Sequence, residues 1–228
     1  MKKTVRLFIT RHGQTEYNVE HRAQGWSDSP LTASGREIAA QLGIGLRNMG
    51  IDFDYAYSSS SKRASDTAKI VLDNMGLDLT IHTDDNLRER GLGKLEGHVL
   101  GKAAWNFASK AADEAGHAGK LDIDALDDGY QNVEISDDLD IEQPYDLEPL
   151  DIFKVRLIKA LDDICQKVEG DTVNVFVVSH GFAILCMIYA ITGNRYSDVL
   201  FIDNASITLV ENIDGVYHIR SVNDSSYI

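Results

Sequence analysis

Four stretches of the 228-residue chain end an apolar run on a side chain that can do chemistry: Arg11-His12-Gly13, Arg63, Glu89 and His180-Gly181. An arginine keeps its charge and presents a planar fork that fits the oxygens of a phosphate. An imidazole beside it can attack phosphorus, and a carboxyl group can carry a proton to or from a leaving oxygen. Phosphoryl chemistry is what these residue types share. Each also has a plain structural reading. Arg11-His12-Gly13 resembles an ordinary strand-end turn, and Arg63 a surface residue at a helix start. Glu89, between Arg88 and Arg90, could form a surface ion pair, with Glu96 as a rival acid, and His180 could be a satisfied core histidine. Their co-occurrence in one chain points to function.

Bringing the four together requires strands whose carboxyl ends share one edge of a sheet, where open α/β folds bind ligands. Val5 to Thr10 is β-branched and aromatic, the pattern of a buried strand, and Gly13 allows a sharp turn after it. Thr32 is the expected N-cap of a helix whose apolar face is Ile38, Leu42, Leu46 and Met49, ended by Gly50. Phe53 to Ser58 predicts a second strand. A helix follows with Ala64, Ala68, Val71, Leu72 and Met75 inward and Gly76 as its stop. Leu79 to His82 predicts a short third strand, leading into a glycine-rich loop from Asn86 to Gly97. Ile152 to Val168 predicts an amphipathic helix. Val173 to Ser179, the most apolar strand, belongs at the sheet centre. Phe182 to Thr192 predicts a helix, and Ala205 to Asn212 with Gly215 to Val222 a closing hairpin turning at Asp214-Gly215.

The net charge of −14 is concentrated. Asp113 to Asp151 holds fourteen Asp or Glu against Lys120 alone. A basic footprint for nucleic acid is missing, although an acidic protein can still bind phosphate in a locally basic pocket. Cys165 and Cys186 form no CxxC pair, which fits reduced thiols and a cytoplasmic location. No apolar stretch reaches membrane-span length, and the Met1-Lys2-Lys3 start lacks the features of a signal peptide. The sequence carries no HExxH, no metal-spaced Cys/His cluster and no Walker loop, so a metal-free, cofactor-free mechanism is expected. His21, His82, His98, His117 and His218 fit no motif.

The ordered motifs are similar to those of the histidine phosphatase superfamily, which includes cofactor-dependent phosphoglycerate mutases and many phosphatases. Arg11-His12-Gly13 with Thr15 and Asn18 resembles its signature, followed by the stretch Gln24 to Thr32. Ser59 to Ala68 resembles the second motif, and Leu87, Glu89, Gly93, Glu96 and Gly97 the acid-bearing one. Ser179-His180-Gly181 resembles the last. The resemblance implies a three-layer α/β/α sandwich with a mainly parallel central sheet, one domain over residues 1–228 and an acidic cap insertion at about 99–149. It implies His12 as the nucleophile, with its other nitrogen donating to a backbone carbonyl. Arg11 and Arg63 would clamp the phosphoryl group, His180 would be a further, protonated donor, and Glu89 the general acid and base. Thr15, Asn18, Gln24, Gly25 and Gly181 would line the phosphate pocket of a small phosphorylated substrate.

Three departures from the family pattern stand out. Ser60-Ser61 replaces Pro-Leu in the second motif. Leu147-Glu148-Pro149 replaces Gly-Glu-Ser before Arg156, which puts polar contacts from that region in question. The insertion is unusually acidic, reads as a solvated segment, and should disfavour highly anionic substrates. A metal-independent phosphomonoesterase is expected, with two rivals. A phosphoglycerate mutase would want a basic cluster after the acid motif, where Gly97 to Lys102 carries only scattered charge. A noncatalytic phosphate-binding or partner-binding module would not need nucleophile and acid together. A homodimer through a sheet edge is compatible with the sequence, which has no signature for one.

Overall fold

The computed structural model describes residues 3–99, 123, 141, 144–193, 199 and 201–228. Six strands form one sheet: β1 (Thr4–Arg11), β2 (Tyr55–Ser59), β3 (Ile81–Asp84), β4 (Thr172–Ser179), β5 (Ile207–Ile213) and β6 (Val216–Asp224), in the order β3-β2-β4-β1-β5-β6. β3, β2, β4 and β1 run parallel, whereas β5 pairs antiparallel with β1 and β6 with β5. The four parallel strands therefore deliver Arg11, the turn before Arg63, the Glu89 loop and His180 to one edge, as the motif order requires.

Helices cover the sheet on both faces. On one side lie α2 (Ala33–Asn48) and α3 (Lys62–Met75), and the short α1 (Glu16–Val19) precedes them in the chain. On the other side lie α4 (Leu150–Lys167) and α5 (Gly181–Thr192). Alternation along β1 and β4 explains the two cores. Phe8, Phe176 and Val178 face α2 and α3, while Val5, Leu7, Ile9, Val173, Val175 and Val177 face α4 and α5. Both faces of β4 are buried, which is why it reads as a continuous apolar run. The architecture is a three-layer α/β fold with a mostly parallel sheet. No helix among the described residues is long and apolar enough to cross a membrane.

Local differences from expectation have local causes. Thr32 caps α2 as expected, accepting from the Gly35 amide at 2.9 Å. Met49, expected inward, is 54% exposed because it is the C-cap, past the last turn that touches the sheet; Ala39 and Gly43 take part in the buried face instead. β3 begins two residues later than Leu79, since this edge strand pairs only along the length of β2. The hairpin turn is as expected, with Asp214 and Gly215 at positive φ (51° and 87°). Most of the acidic insertion, including the alanine-rich stretch Lys102 to Ala118 whose composition predicts a helix, lies outside the described residues. The insertion's described end is not a solvated segment. Tyr145 is buried with Ala23, Leu92 and Leu95, and the Lys94 amide donates to its carbonyl at 2.8 Å.

Candidate active site

His12 lies one residue past β1, its amide extending the ladder to the Ser179 carbonyl at 3.1 Å. The Asn204 side-chain amide donates to the His12 carbonyl at 2.6 Å and so holds the backbone from the β5 side. The ring is buried. Its Nδ1 lies 2.8 Å from the Gly13 carbonyl, an acceptor only, so Nδ1 carries the proton and Nε2 keeps its lone pair. That lone pair meets Arg63 Nε–H at 3.2 Å. Burial above all, then the charges of Arg63 and Arg11, hold the His12 pKa well below its ordinary value. A neutral ring nitrogen therefore stands against a buried guanidinium.

Arg63 is the hub. It enters from the first turn of α3, fully buried, with Nη1 on the Ser27 carbonyl (2.8 Å) and Asp28 Oδ1 (3.2 Å), and Nη2 on the Gly25 carbonyl (2.9 Å). Asp28 also accepts from the Lys62 and Arg63 amides, so a single carboxylate caps α3 and orients its arginine. Thr67, one turn on, donates to the Arg63 carbonyl (2.7 Å) and accepts from the Gly13 amide (3.0 Å), fastening α3 to the turn after β1. Arg11 is also buried. Its Nη1 donates to the Ile202 carbonyl at 2.7 Å, and its guanidinium lies over the half-exposed Phe201 ring at 4.8 Å. Gly181 leaves room for it: a Cβ there would sit in contact with Arg11, 3.4 Å from Nε.

His180 differs from expectation. Its Nδ1 faces Arg63 Nη2, a pure donor, at 3.0 Å, and its Nε2 faces the Ser59 hydroxyl at 2.8 Å. These partners fix the neutral tautomer with the proton on Nε2. Burial, then Arg63, His12, Arg11 and Arg156, hold its pKa well below the ordinary value, so the resting ring is not the protonated donor that was expected. Ser61, where the family pattern has leucine, is buried behind it with its hydroxyl 3.3 Å from that of Ser59 and 3.4 Å from Nε2. Ser60, in place of the proline, donates to Asp85 at 2.5 Å.

Two buried histidines with depressed pKa values make stability depend on pH. Above their ordinary value near 6.5 both folded and unfolded states hold them neutral. Below it the unfolded chain takes up protons that the folded site refuses, so stability falls as pH drops, by up to about 1.4 kcal/mol per pH unit for each ring. Urea midpoints measured between about pH 5 and 8 should show this slope, and His180→Asn should remove roughly half of it.

Glu89 sits in the loop after β3. Oε1 accepts from the Arg90 amide (2.9 Å), and Oε2 from the Phe182 amide (3.1 Å) in the first turn of α5, beside His180. Burial raises its pKa, against the opposing pull of those two amides and of Arg63 and Arg11. Glu96, the rival acid, is differently built. Its two oxygens accept from the amides of Gly25, Trp26, Ser27 and Leu92 and from the Ser27 hydroxyl, at 2.5–3.1 Å. Burial alone would raise its pKa, but these donors outweigh it and the pKa is lowered. Glu96 is an anionic staple for the 25–27 loop, leaving Glu89 as the carboxyl able to hold a proton.

The remaining expected pocket residues form the frame of this loop. Thr15 accepts from the Asn18 amide (3.2 Å) and Asn18 Oδ1 from the Thr15 amide (3.1 Å), a capping box for α1. The Thr15 hydroxyl donates to Gln24 Oε1 (2.8 Å), and Gln24 Nε2 to Ser29 (2.9 Å). Gly25 is needed for close approach, since a Cβ would lie 2.1 Å from the Arg90 carbonyl oxygen. Gly13 is likewise a close-approach glycine, with a Cβ 2.4 Å from the Gly35 oxygen, and its φ is not positive. Sequence reasoning missed Asn204, Thr67 as a fastener and Asp28 as the orienter of Arg63. Only the return of β5 beside β1 brings Asn204 to His12, and no local pattern signals that.

The sequence matches the family model for the histidine phosphatase superfamily (branch 1) over residues 7–123 and 118–225. The chain belongs to this superfamily. One superfamily relative is the Probable phosphoglycerate mutase GpmB of Enterobacter sp. (strain 638), 32% identical over 192 residues, covering 83% of this chain and 75% of the relative. The Broad-specificity phosphatase YOR283W of Saccharomyces cerevisiae is 31% identical over 213 residues, 92% of this chain and 80% of that one. Among solved structures, the phosphoglycerate mutase from Bacillus anthracis str. Sterne superposes with a TM-score of 0.83 at 34% identity, covering 99% of this chain and 96% of that one. Superfamily members are phosphatases or mutases, so the chain is an enzyme of phosphoryl chemistry.

Proposed function

We propose that this protein hydrolyses small phosphomonoesters through a phosphohistidine on His12, without a metal ion or cofactor. The observation that carries this reading is the His12 ring itself: Nδ1 tied to the Gly13 carbonyl, and the Nε2 lone pair presented at Arg63. Nε2 attacks phosphorus, a P–N bond forms, and the P–O bond to the leaving group breaks. Glu89 gives its proton to the departing oxygen. Arg63 turns its Nε–H from the imidazole to a phosphoryl oxygen, Arg11 completes the cradle, and the neutral His180 orients Arg63 by accepting from Nη2. Donors placed where charge gathers in the transition state stabilise it selectively. Glu89, now a carboxylate, then takes a proton from water, which attacks phosphorus, releases phosphate and restores the His12 lone pair.

A raised pKa on Glu89 suits the first of its two tasks. kcat/KM, which reports the phosphorylation step, should fall as pH rises through that pKa because the acid form is lost, and Glu89→Gln should abolish this basic limb. The mutase reading differs only in the acceptor, a substrate hydroxyl in place of water, and the names of several relatives favour it. Against it stands the scattered charge of Gly97 to Lys102 and the acidity of the stretch beyond. The deciding experiment is 4-nitrophenyl phosphate hydrolysis with EDTA, run beside 3-phosphoglycerate isomerisation. Metal-independent hydrolysis with slow isomerisation is expected. Fast isomerisation with weak hydrolysis would establish the mutase, and neither activity would favour a binding module.

A further inference from the structure

The carbonyls of the loop that carries Glu89 meet side-chain donors: the Ser179 hydroxyl on that of Leu87 at 2.8 Å, Trp26 Nε1 on that of Glu89 at 3.0 Å, and a single arginine on three of them. Arg156, on α4, forks Nε and Nη2 onto the two oxygens of Glu148 at 2.6 and 2.7 Å. Its Nη1 donates to the carbonyls of Asn86 (2.9 Å) and Arg88 (2.7 Å), and its Nη2 to that of Glu89 itself (2.8 Å). The guanidinium also lies 4.7 Å from the centre of the Phe153 ring. Glu148 completes the clasp: its carboxylate accepts from the Gly91 amide at 3.0 Å, and its own amide donates to the Gly91 carbonyl at 2.8 Å. Its carbonyl accepts from Arg90 Nε at 2.8 Å. One ion pair, whose side chains are only 13% and 12% exposed, thus holds the backbone on both sides of Glu89, beside the single contacts from Ser179 and Trp26.

We propose that the Glu148–Arg156 pair is a positioning device for the Glu89 carboxyl, setting its distance from the leaving oxygen. Stability alone does not call for such a pair, since well-packed apolar residues replace desolvated ion pairs at little or no cost. What apolar residues cannot do is bond three irregular carbonyls at once, which takes the rigid fork of an arginine. The inference rests on Glu89 being the acid of the proposed reaction.

The test is the dependence of kcat/KM on leaving group, because a displaced acid matters most where the leaving oxygen needs its proton. Arg156→Lys and Glu148→Gln would be assayed on 4-nitrophenyl, phenyl and alkyl phosphates, with Glu89→Gln as reference. A misplacement of about 1 Å costs on the order of 10² in rate. A loss of about 10²-fold on alkyl phosphates against about threefold on 4-nitrophenyl phosphate is expected for Arg156→Lys. Glu148→Gln, nearly isosteric, should steepen the dependence less and keeps the test readable if the lysine variant does not fold. Equal losses across the series in both variants, with a steep profile for Glu89→Gln, would overturn the inference alone. A flat profile for Glu89→Gln would sink the reading of Glu89 and this inference with it.

Discussion

His12→Ala is expected to lose roughly 10⁴–10⁶ in kcat/KM, the scale seen when a hydrolase loses its covalent nucleophile. The ring contributes no strand hydrogen bond: the His12 amide and carbonyl, not the imidazole, tie this turn to Ser179 and Asn204. The variant should therefore fold, and circular dichroism would show it. Brief incubation of wild type with radiolabelled substrate, followed by denaturation in base, should trap label on the protein, because phosphohistidine is lost in acid and survives alkali. The variant should trap none. A His12→Ala enzyme retaining activity within tenfold of wild type would mean that water attacks directly and that His12 only binds.

Arg63→Ala comes next, with an expected loss of roughly 10³–10⁵, the range for removing an arginine that meets the transferring phosphoryl group. It removes more than a cation. The carbonyls of Gly25 and Ser27 lose their donor, Asp28 loses its partner, and His180 Nδ1 loses the contact that sets its tautomer. Each buried acceptor left without a donor costs about 1–3 kcal/mol, so the melting temperature should fall as well. Arg63→Lys separates the two effects. One ammonium can replace the charge at the phosphate or the donors to the 25–28 loop, but not both. Affinity for inorganic phosphate should recover only partly, and stability should stay below wild type. Full recovery of both would show that charge alone matters and that the fork geometry does not.

Much of this site was legible because each motif is a strand end, and parallel strands place their ends together. Arg11, His12, Arg63, Glu89 and His180 all reach the same edge for that reason. What stayed illegible depends on partners remote in sequence. The choice between Glu89 and Glu96 is made by the number of amides each carboxylate meets, four for Glu96, a property of loop packing. The charge of His180 is set by burial behind Ser59 and beside Arg63, and a sequence does not show burial of a polar ring. Residues 144–149 looked like the end of a solvated acidic run, since charge suggests solvent. Glu148 is instead neutralised by Arg156, and Tyr145 supplies an apolar anchor. The edge strand β3 differs by two residues because Leu79 and Thr80 fit a strand in type, whereas pairing with β2 begins only at Ile81, opposite Ala56.

β1, which delivers His12, pairs only with β4 and β5, strands that begin at Thr172 and Ile207. On the ribosome the strand that carries His12 is made about 160 residues before the first of its neighbours. Contacts so distant in sequence slow folding and leave an apolar segment uncovered in the meantime. A nascent chain stalled short of residue 172 carries Arg11, His12, Arg63 and Glu89, yet lacks the strands that hold them to one edge. These side chains can therefore gather at one edge only after β4 and β5 have been made.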